Sequence, residues 1–289
     1  MTLISIIIGL ALEYFLGPLD RLRKLSWFDR YSNWLERQCS HLSFWDGAAG
    51  VVITLGLPLL AAILCGHFLN ELSPIFGFVF ATFVFIYSLG PELNSALYNY
   101  LDALEADDEA NIQDTEQELL RGRASGENTE EERLIQAILV RAHEGLFGII
   151  FWFIVLGFTG ALFYCLTVRV HRKYVDIHGG YAAAAKQLHN ILIWPSARLM
   201  ALGFALSGSL VDALEGWRNG SDEDRSSEKF IGQTGLGALQ YVPYEADNEF
   251  DDERAQRIDW IQQTQALINR TLIVWMTALA ILTIGNWLS

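Results

Sequence analysis

An arginine, a histidine and a glutamate stand together at Arg141-Ala-His143-Glu144, at the entrance to a long apolar run. On a helix, adjacent residues point about 100° apart, so His143 and Glu144 do not orient one another. Arg141 and Glu144 are i,i+3 neighbours and are expected to form an ion pair. His143 is the imidazole best placed for general acid or base work. Two further ionisable groups fall inside apolar sequence, where they are costly and tend to face protein or water. Glu13 sits in the opening run, either as an end-of-helix residue facing headgroups or as part of a site. Arg198 lies three residues after Pro195, whose ring frees a backbone carbonyl one turn earlier and can kink a helix. Arg198 is expected either to snorkel to the interface or to pair with Glu13, Glu144 or an anionic ligand. Glu13, Arg141, His143, Glu144 and Arg198 are therefore the candidate ligand-binding residues.

More specific chemistry leaves no trace. There is no His-x-x-x-His, no paired cysteine and no carboxylate–histidine cluster at metal-ligand spacing, so no metal site is expected. A Gly-x-Ser-x-Gly nucleophile elbow and a Walker pattern are both missing, and no catalytic residue is assigned. Gly232-Gln-Thr-Gly235-Leu-Gly237-Ala-Leu239 has the glycine spacing of a phosphate cradle, but no Lys-Ser/Thr follows. It reads as a flexible loop leading to Leu239 and Tyr241 packing on the membrane domain, with nucleotide binding as the weaker alternative. No other cofactor is implied. Cys39, Cys65 and Cys165 are isolated and read as packing residues rather than disulfides.

The elements that must position these residues follow from segregation of charge and oil. The 289 residues are 52% hydrophobic, yet 34 acids against 20 Lys and Arg leave a net charge of −14. Twelve acids against two arginines give the stretch from Asp102 to Glu132 a charge of −10, and six unopposed acids from Glu245 to Glu253 add −6. The rest of the chain is close to neutral. No Lys/Arg-rich stripe exists for phosphate contacts, which sets nucleic acid aside as a partner.

Between the acidic segments run stretches long enough for a bilayer, which takes roughly 20 residues at 1.5 Å rise. Gly47–Leu69, Leu72–Gly90, Gly145–Val168 and Thr271–Ser289 contain no Asp, Glu, Lys or Arg, and His189–Val211 is interrupted only by Arg198. Thr2–Gly17 is shorter and reads as a retained span or interfacial helix rather than a cleaved signal, since it lacks a basic start and a small-x-small site. Helix is the form available to all of them. The expectation is an all-α polytopic membrane protein with five to six hydrophobic helices. Lys and Arg counts favour an external N-terminus, with 15 basic residues in the cytoplasmic connections and 4 in the connection between the fourth and fifth spans. Arg169, Arg172 and Lys173 strain that assignment, because they sit at a membrane edge on the outer side; a re-entrant hairpin made of the fourth and fifth runs would remove the conflict.

Residues 18–46 interleave Arg and Lys with Trp27, Phe28, Tyr31, Trp34, Phe44 and Trp45, as an interfacial helix against anionic headgroups would. Leu93, Leu97, Leu101 and Leu104 on one side of the acidic stretch, and Leu134, Ile138 and Arg141 on the other, recur at helical spacing. They predict a cytoplasmic acidic helical hairpin over 91–144 with its turn at Arg121–Thr129. Its acids form either a solvated face or a docking surface, with Asp107, Asp108 and Glu109 the candidate docking residues. The remaining divisions are an N-terminal membrane region (1–90), helices four and five (145–214), a polar cytoplasmic segment (215–270) and a C-terminal span (271–289).

Phe151-Trp-Phe-Ile-Val-Leu-Gly157-Phe-Thr-Gly160-Ala-Leu-Phe-Tyr164, Trp194-Pro-Ser-Ala-Arg198-Leu through Gly208, Trp217 and Gly235-Leu-Gly-Ala-Leu239 together resemble the AmpE proteins over essentially the whole chain. That resemblance implies a bacterial inner-membrane protein linked to regulation of β-lactamase expression and to cell-wall recycling, with the lipid bilayer, an AmpD-like cytoplasmic amidase and a cell-wall-derived ligand such as a muropeptide as partners. AmpE proteins are in turn similar to the CobD/CbiB membrane proteins, which form an amide bond in cobalamin biosynthesis. Of that family's acidic blocks only Glu144 stands at an acidic position here, and Arg198 matches its arginine. The resemblance therefore implies a scaffold retained without the activity: a sensor or regulator, with a membrane-embedded ligase or nucleotide-dependent enzyme, and then a transporter of cell-wall fragments, as alternatives.

Overall fold

The computed structural model describes residues 2–16, 25–39, 45–90, 92–120, 129–175, 177–220, 226–243 and 253–288. Every regular element among them is a helix, and no strand occurs. Four helical segments are long and apolar enough to cross a membrane by length and composition, Ala48–Leu72, Glu130–Tyr174, Gly180–Ser207 and Arg254–Ile284, with shorter apolar helices at Leu3–Leu12 and Pro74–Ser88. The chain divides into two units, residues 1–91 with 144–193 and residues 92–143 with 194–289.

The first unit contains α1 (Thr2–Leu16), α2 (Ser26–Cys39), α3 (Ala48–Leu72), α4 (Pro74–Ser88), α8 (Gly148–Tyr174) and residues 180–193 of α9 (Gly180–Ser207). α3 stops at Ser73, whose extended backbone and side-chain oxygen, accepting from the Ile75 N–H at 3.3 Å, start α4 with Pro74 in its first turn. The expected second and third spans are thus two helices joined by a one-residue break. At 15 residues α4 is about 22 Å long, short of a full hydrocarbon core. Val52, Leu57, Leu60, Leu64 and Phe68 of α3 and Ile75, Phe76, Val79 and Phe83 of α4 are exposed, as lipid-facing residues are. Cys65, expected to pack, is exposed as well, whereas Cys165 is buried.

The fourth apolar run departs from expectation. Gly157 has φ 67° and ψ −154°, a conformation that only glycine tolerates without strain, and it breaks α8 into limbs 148–156 and 158–174. The limbs fold back on one another. A Cβ on Gly160 would strike the Trp152 carbonyl, and one on Gly148 would meet the Tyr164 ring. Arg172 reaches Glu144, 28 positions earlier, at 2.7 Å; on a straight helix they would stand about 42 Å apart. The run expected as one span is therefore a helical hairpin.

Its returning end meets α2. Arg169 Nη2 lies 2.7 Å from Asp29 Oδ2, Lys173 Nζ donates to Ser32 Oγ at 2.9 Å and Asn33 Oδ1 at 2.6 Å, and Tyr174 donates to Glu36 at 2.8 Å. Phe28, Ser32 and Leu35 of α2 turn inward at helical spacing, while Trp27 and Trp34 remain exposed. The segment expected to lie only against headgroups thus packs its apolar stripe into a protein core that includes Trp45, Val51, Leu55, Leu166, Val170 and Tyr181. The connection after α8, expected on the face opposite residues 18–46, lies at the same end of this unit as α2. The three basic residues that strained the topology are matched by Asp29, Glu36 and Glu144.

The second unit holds α5 (Glu92–Glu105), α6 (Glu109–Leu120), α7 (Glu130–Ala142), residues 194–207 of α9, α10 (Leu210–Gly220), α11 (Ser227–Leu239) and α12 (Glu253–Leu288). The acidic region is three helices rather than a two-helix hairpin, because the chain turns at Asp107, with φ 58°, between α5 and α6. Asp108 begins α6 by accepting from the Asn111 N–H at 3.3 Å, and Thr129 begins α7 by accepting from Glu132 N at 3.3 Å. Most of the expected hairpin turn (121–128) and most of the late acidic segment (244–252) lie outside the described residues.

The glycine-rich stretch expected as a loop is helix α11. Gly216 and Gly237 bring α10 and α11 into backbone contact, against the carbonyls of Gln233 and Asp212, and Gly232 and Gly235 seat the Gln136 and Leu139 side chains of α7. Glycine here permits close helix packing. α11 ends at Gln240 in the left-handed region, with Gln240 N donating to Gly237 O at 2.9 Å and Tyr241 N to Leu236 O at 3.1 Å. The expected last span is the end of α12, a 36-residue helix about 54 Å long that begins 18 residues earlier in polar sequence.

Candidate functional site

α7 runs into α8 through a π-helical turn at His143–Phe147. The inserted residue changes the angular phase of the helix, which sequence spacing cannot register. His143 and Glu144 are both buried, and each has its own partners. In the second unit His143 Nε2 lies 2.9 Å from Ser196 Oγ, with both residues fully buried. In the first unit Glu144 Oε2 accepts from Arg172 Nε at 3.1 Å and Nη2 at 2.7 Å, and Oε1 lies 3.3 Å from His189 Nε2. The His189 ring stacks on His171, centroids 4.3 Å apart and planes 15° from parallel.

This assembly joins the π turn before the first hairpin limb, the end of the second limb, and α9. The Glu144 side chain is 3% exposed, so its charge is stable there only because a guanidinium and an imidazole face it. A carboxylate whose Oε2 accepts twice from one guanidinium, and whose Oε1 faces an imidazole, is poorly placed to take up a proton or an amine from a substrate. The arrangement fixes the base of the hairpin and stores a compensated set of charges. Arg172, His171 and His189 were missed as site residues in the sequence. The one available signal was Arg172 itself, a cation on the wrong side of the expected topology.

The other candidates separate. Arg141 donates from Nε to the Leu119 carbonyl at 3.0 Å and from Nη2 to the Glu118 carbonyl, capping the C-terminal end of α6 where a cation complements the helix dipole. Glu13 lies in α1, and its side chain is outside the described residues. Asp107 pairs with Arg254 and Asp108 caps α6, so two of the three candidate docking acids hold the structure together, and Glu109 is exposed in the first turn of α6.

Arg198 has the most unusual surroundings. Its guanidinium carbon lies 4.2 Å from the Trp194 ring centre and 4.9 Å from that of Phe230, and Nη1 donates to the Trp194 carbonyl at 3.3 Å. Among the described residues no carboxylate pairs with it. Ile191, Trp194, Leu199, Leu202 and Leu206 form an exposed apolar stripe on the same helix. The guanidinium lies over both rings, and the rest of its donor fork has no partner among the described residues.

No protein-family model, no curated protein and no solved structure matches the chain.

Proposed function

We propose that this chain is a multi-pass inner-membrane regulatory protein of the AmpE kind, which senses an anionic ligand such as a muropeptide and passes its state to a cytoplasmic partner in β-lactamase regulation and cell-wall recycling. The observation that carries the ligand half of this reading is Arg198, a guanidinium between two aromatic faces with no carboxylate partner among the described residues. A carboxylate or phosphate docking on that fork would form charge-assisted hydrogen bonds in a poorly hydrated place, where they are strong. The commitment of Glu144 to Arg172 and His189 weighs against a surviving amide-forming ligase of the CobD/CbiB kind.

The test is mass spectrometry of small molecules and proteins that co-purify with the full chain from native membranes, for wild type and Arg198→Gln. An anionic species retained by wild type, and reduced roughly tenfold or more in the variant, is the expected result. An anion retained equally by both, or none by either, overturns the assignment to Arg198. Nucleotide turnover by the purified protein overturns the non-enzymatic reading.

A further inference from the structure

In the second unit α5, α6, α7 and the first turns of α12 bring together polar side chains that none of the residues discussed so far accounts for. Arg257 of α12 donates from Nη1 to the Tyr100 hydroxyl at 3.4 Å and stands 4.0 Å from Glu116 Oε2, too far for a hydrogen bond. Glu116 is only 8% exposed, and its second oxygen, Oε1, has no hydrogen-bond partner. Three more buried atoms lack partners: Arg133 Nε on α7, and Gln256 Oε1 and Trp260 Nε1 on α12. Gln256 and Trp260, 3% and 9% exposed, are one turn apart on the face of α12 that also carries Arg257. Tyr241 closes that side, its ring packed on Trp260 at 5.1 Å and its hydroxyl on Glu131 at 2.9 Å.

Buried polar atoms are nearly always paired, so four orphans contributed by three adjoining helices call for an explanation. Two accept and two donate. The acceptors are a carboxylate and an amide oxygen, which favour an ammonium; the donors belong to a guanidinium and an indole, which favour a carboxylate. Glu130 and Glu131 stand beside Arg133 and Arg257 here, and the two orphan acceptors with the two orphan donors call for a guest that carries both an ammonium and a carboxylate. We propose that this cluster binds a small zwitterion of the α-amino-acid or short-peptide class, its ammonium on Glu116 Oε1 and Gln256 Oε1 and its carboxylate on Arg133 Nε and Trp260 Nε1. Burial, followed by the charge of Glu130, pushes the Glu116 carboxyl above its usual range, against the pull of Arg257 and Arg133. An incoming ammonium supplies the hydrogen-bond donor that Glu116 Oε1 lacks. Such a guest ties the acidic helices to the start of α12. The site is separate from Arg198 and does not depend on the reading above.

Thermal unfolding of the full chain in detergent micelles tests this, with the α-amino acids and alanyl-alanine as probes and N-acetylalanine amide, propionate and propylamine as controls. At least one zwitterion is expected to raise Tm by roughly 3 °C or more, while the controls do not. Glu116→Gln and Trp260→Phe each abolish that rise, and Glu109→Gln, an exposed acid on the same helix as Glu116, preserves it. No rise with any zwitterion, or a rise retained in Glu116→Gln or Trp260→Phe, overturns the proposal and assigns the orphan atoms to ordered water. If Glu116→Gln does not fold, Trp260→Phe and the control probes still decide.

Discussion

Glu144 and Arg172 show how little a single residue's type says about its partner. The guanidinium expected to neutralise Glu144 was Arg141, one turn away, yet the contact that closes the hairpin comes from 28 positions downstream. Arg141 reaches 22 positions back to the Leu119 carbonyl. The consequences of losing them differ accordingly. Arg172→Ala leaves Glu144 nearly buried with one cation fewer, and is expected to cost about 3 kcal/mol, the low end for breaking a buried pair because the Arg172 side chain is 35% exposed. Arg172→Gln with Glu144→Gln, which removes both charges, should recover part of that loss. Thermal or denaturant unfolding of the variants in micelles measures both; an Arg172→Ala protein as stable as wild type would show that His189 alone suffices to hold Glu144.

Among the elements, the hairpin in α8 has the sharpest sequence requirement. Gly157 supplies the backbone conformation and Gly160 the close approach of the limbs. Gly157→Val should cost about 1–3 kcal/mol in backbone strain, and Gly160→Val should be comparably damaging through collision with the Trp152 carbonyl. A glycine placed elsewhere has no such weight: a Cβ at Gly56 meets nothing within 4 Å, and Gly56→Ala should leave the melting temperature within about 1 °C of wild type or raise it, since alanine favours helix. The three melting curves are the check, and equal destabilisation at Gly56 and Gly157 would refute the distinction. The facing glycines of α10 and α11 belong to the same physics, since Gly216 and Gly237 remove side chains where two backbones meet.

For the molecule in its membrane, the fold-back changes which connections share a face. With α8 returning to α2, residues 177–180 emerge at the end of the first unit where α2 lies, and the α3–α4 turn lies at the other end. Single cysteines at Arg37, His178 and Glu71, introduced after Cys39, Cys65 and Cys165 are replaced by serine, should separate accordingly. His178→Cys is expected to react with an impermeant thiol reagent from the same side as Arg37→Cys, and Glu71→Cys from the opposite side, in sealed vesicles of either orientation. Labelling of positions 178 and 71 from one side would restore the single-span reading of residues 145–168.

Where the apolar segments lie was legible without coordinates: α3, α4, α9 and the end of α12 fall on runs free of charge or nearly so, and the leucine spacing of 93–104 and 134–138 marked α5 and α7. Hydropathy is a sum over neighbours in sequence, so it reports which segments leave water and how long they are. It does not report direction. Twenty-four apolar residues satisfy a bilayer equally well as one crossing or as two limbs folded at Gly157, and one glycine among the 24 in the chain carries no mark of its φ. Arg169, Arg172 and Lys173 looked misplaced in sequence because their counter-charges, Asp29, Glu36 and Glu144, lie 28 to 140 positions away. Composition alone therefore determined that this is a helical chain partitioned between lipid and acidic polar segments. Only the tertiary structure decided which charges are compensated, because pairing depends on distance in space, and the folds at Gly157 and the π turn at His143 reset those distances.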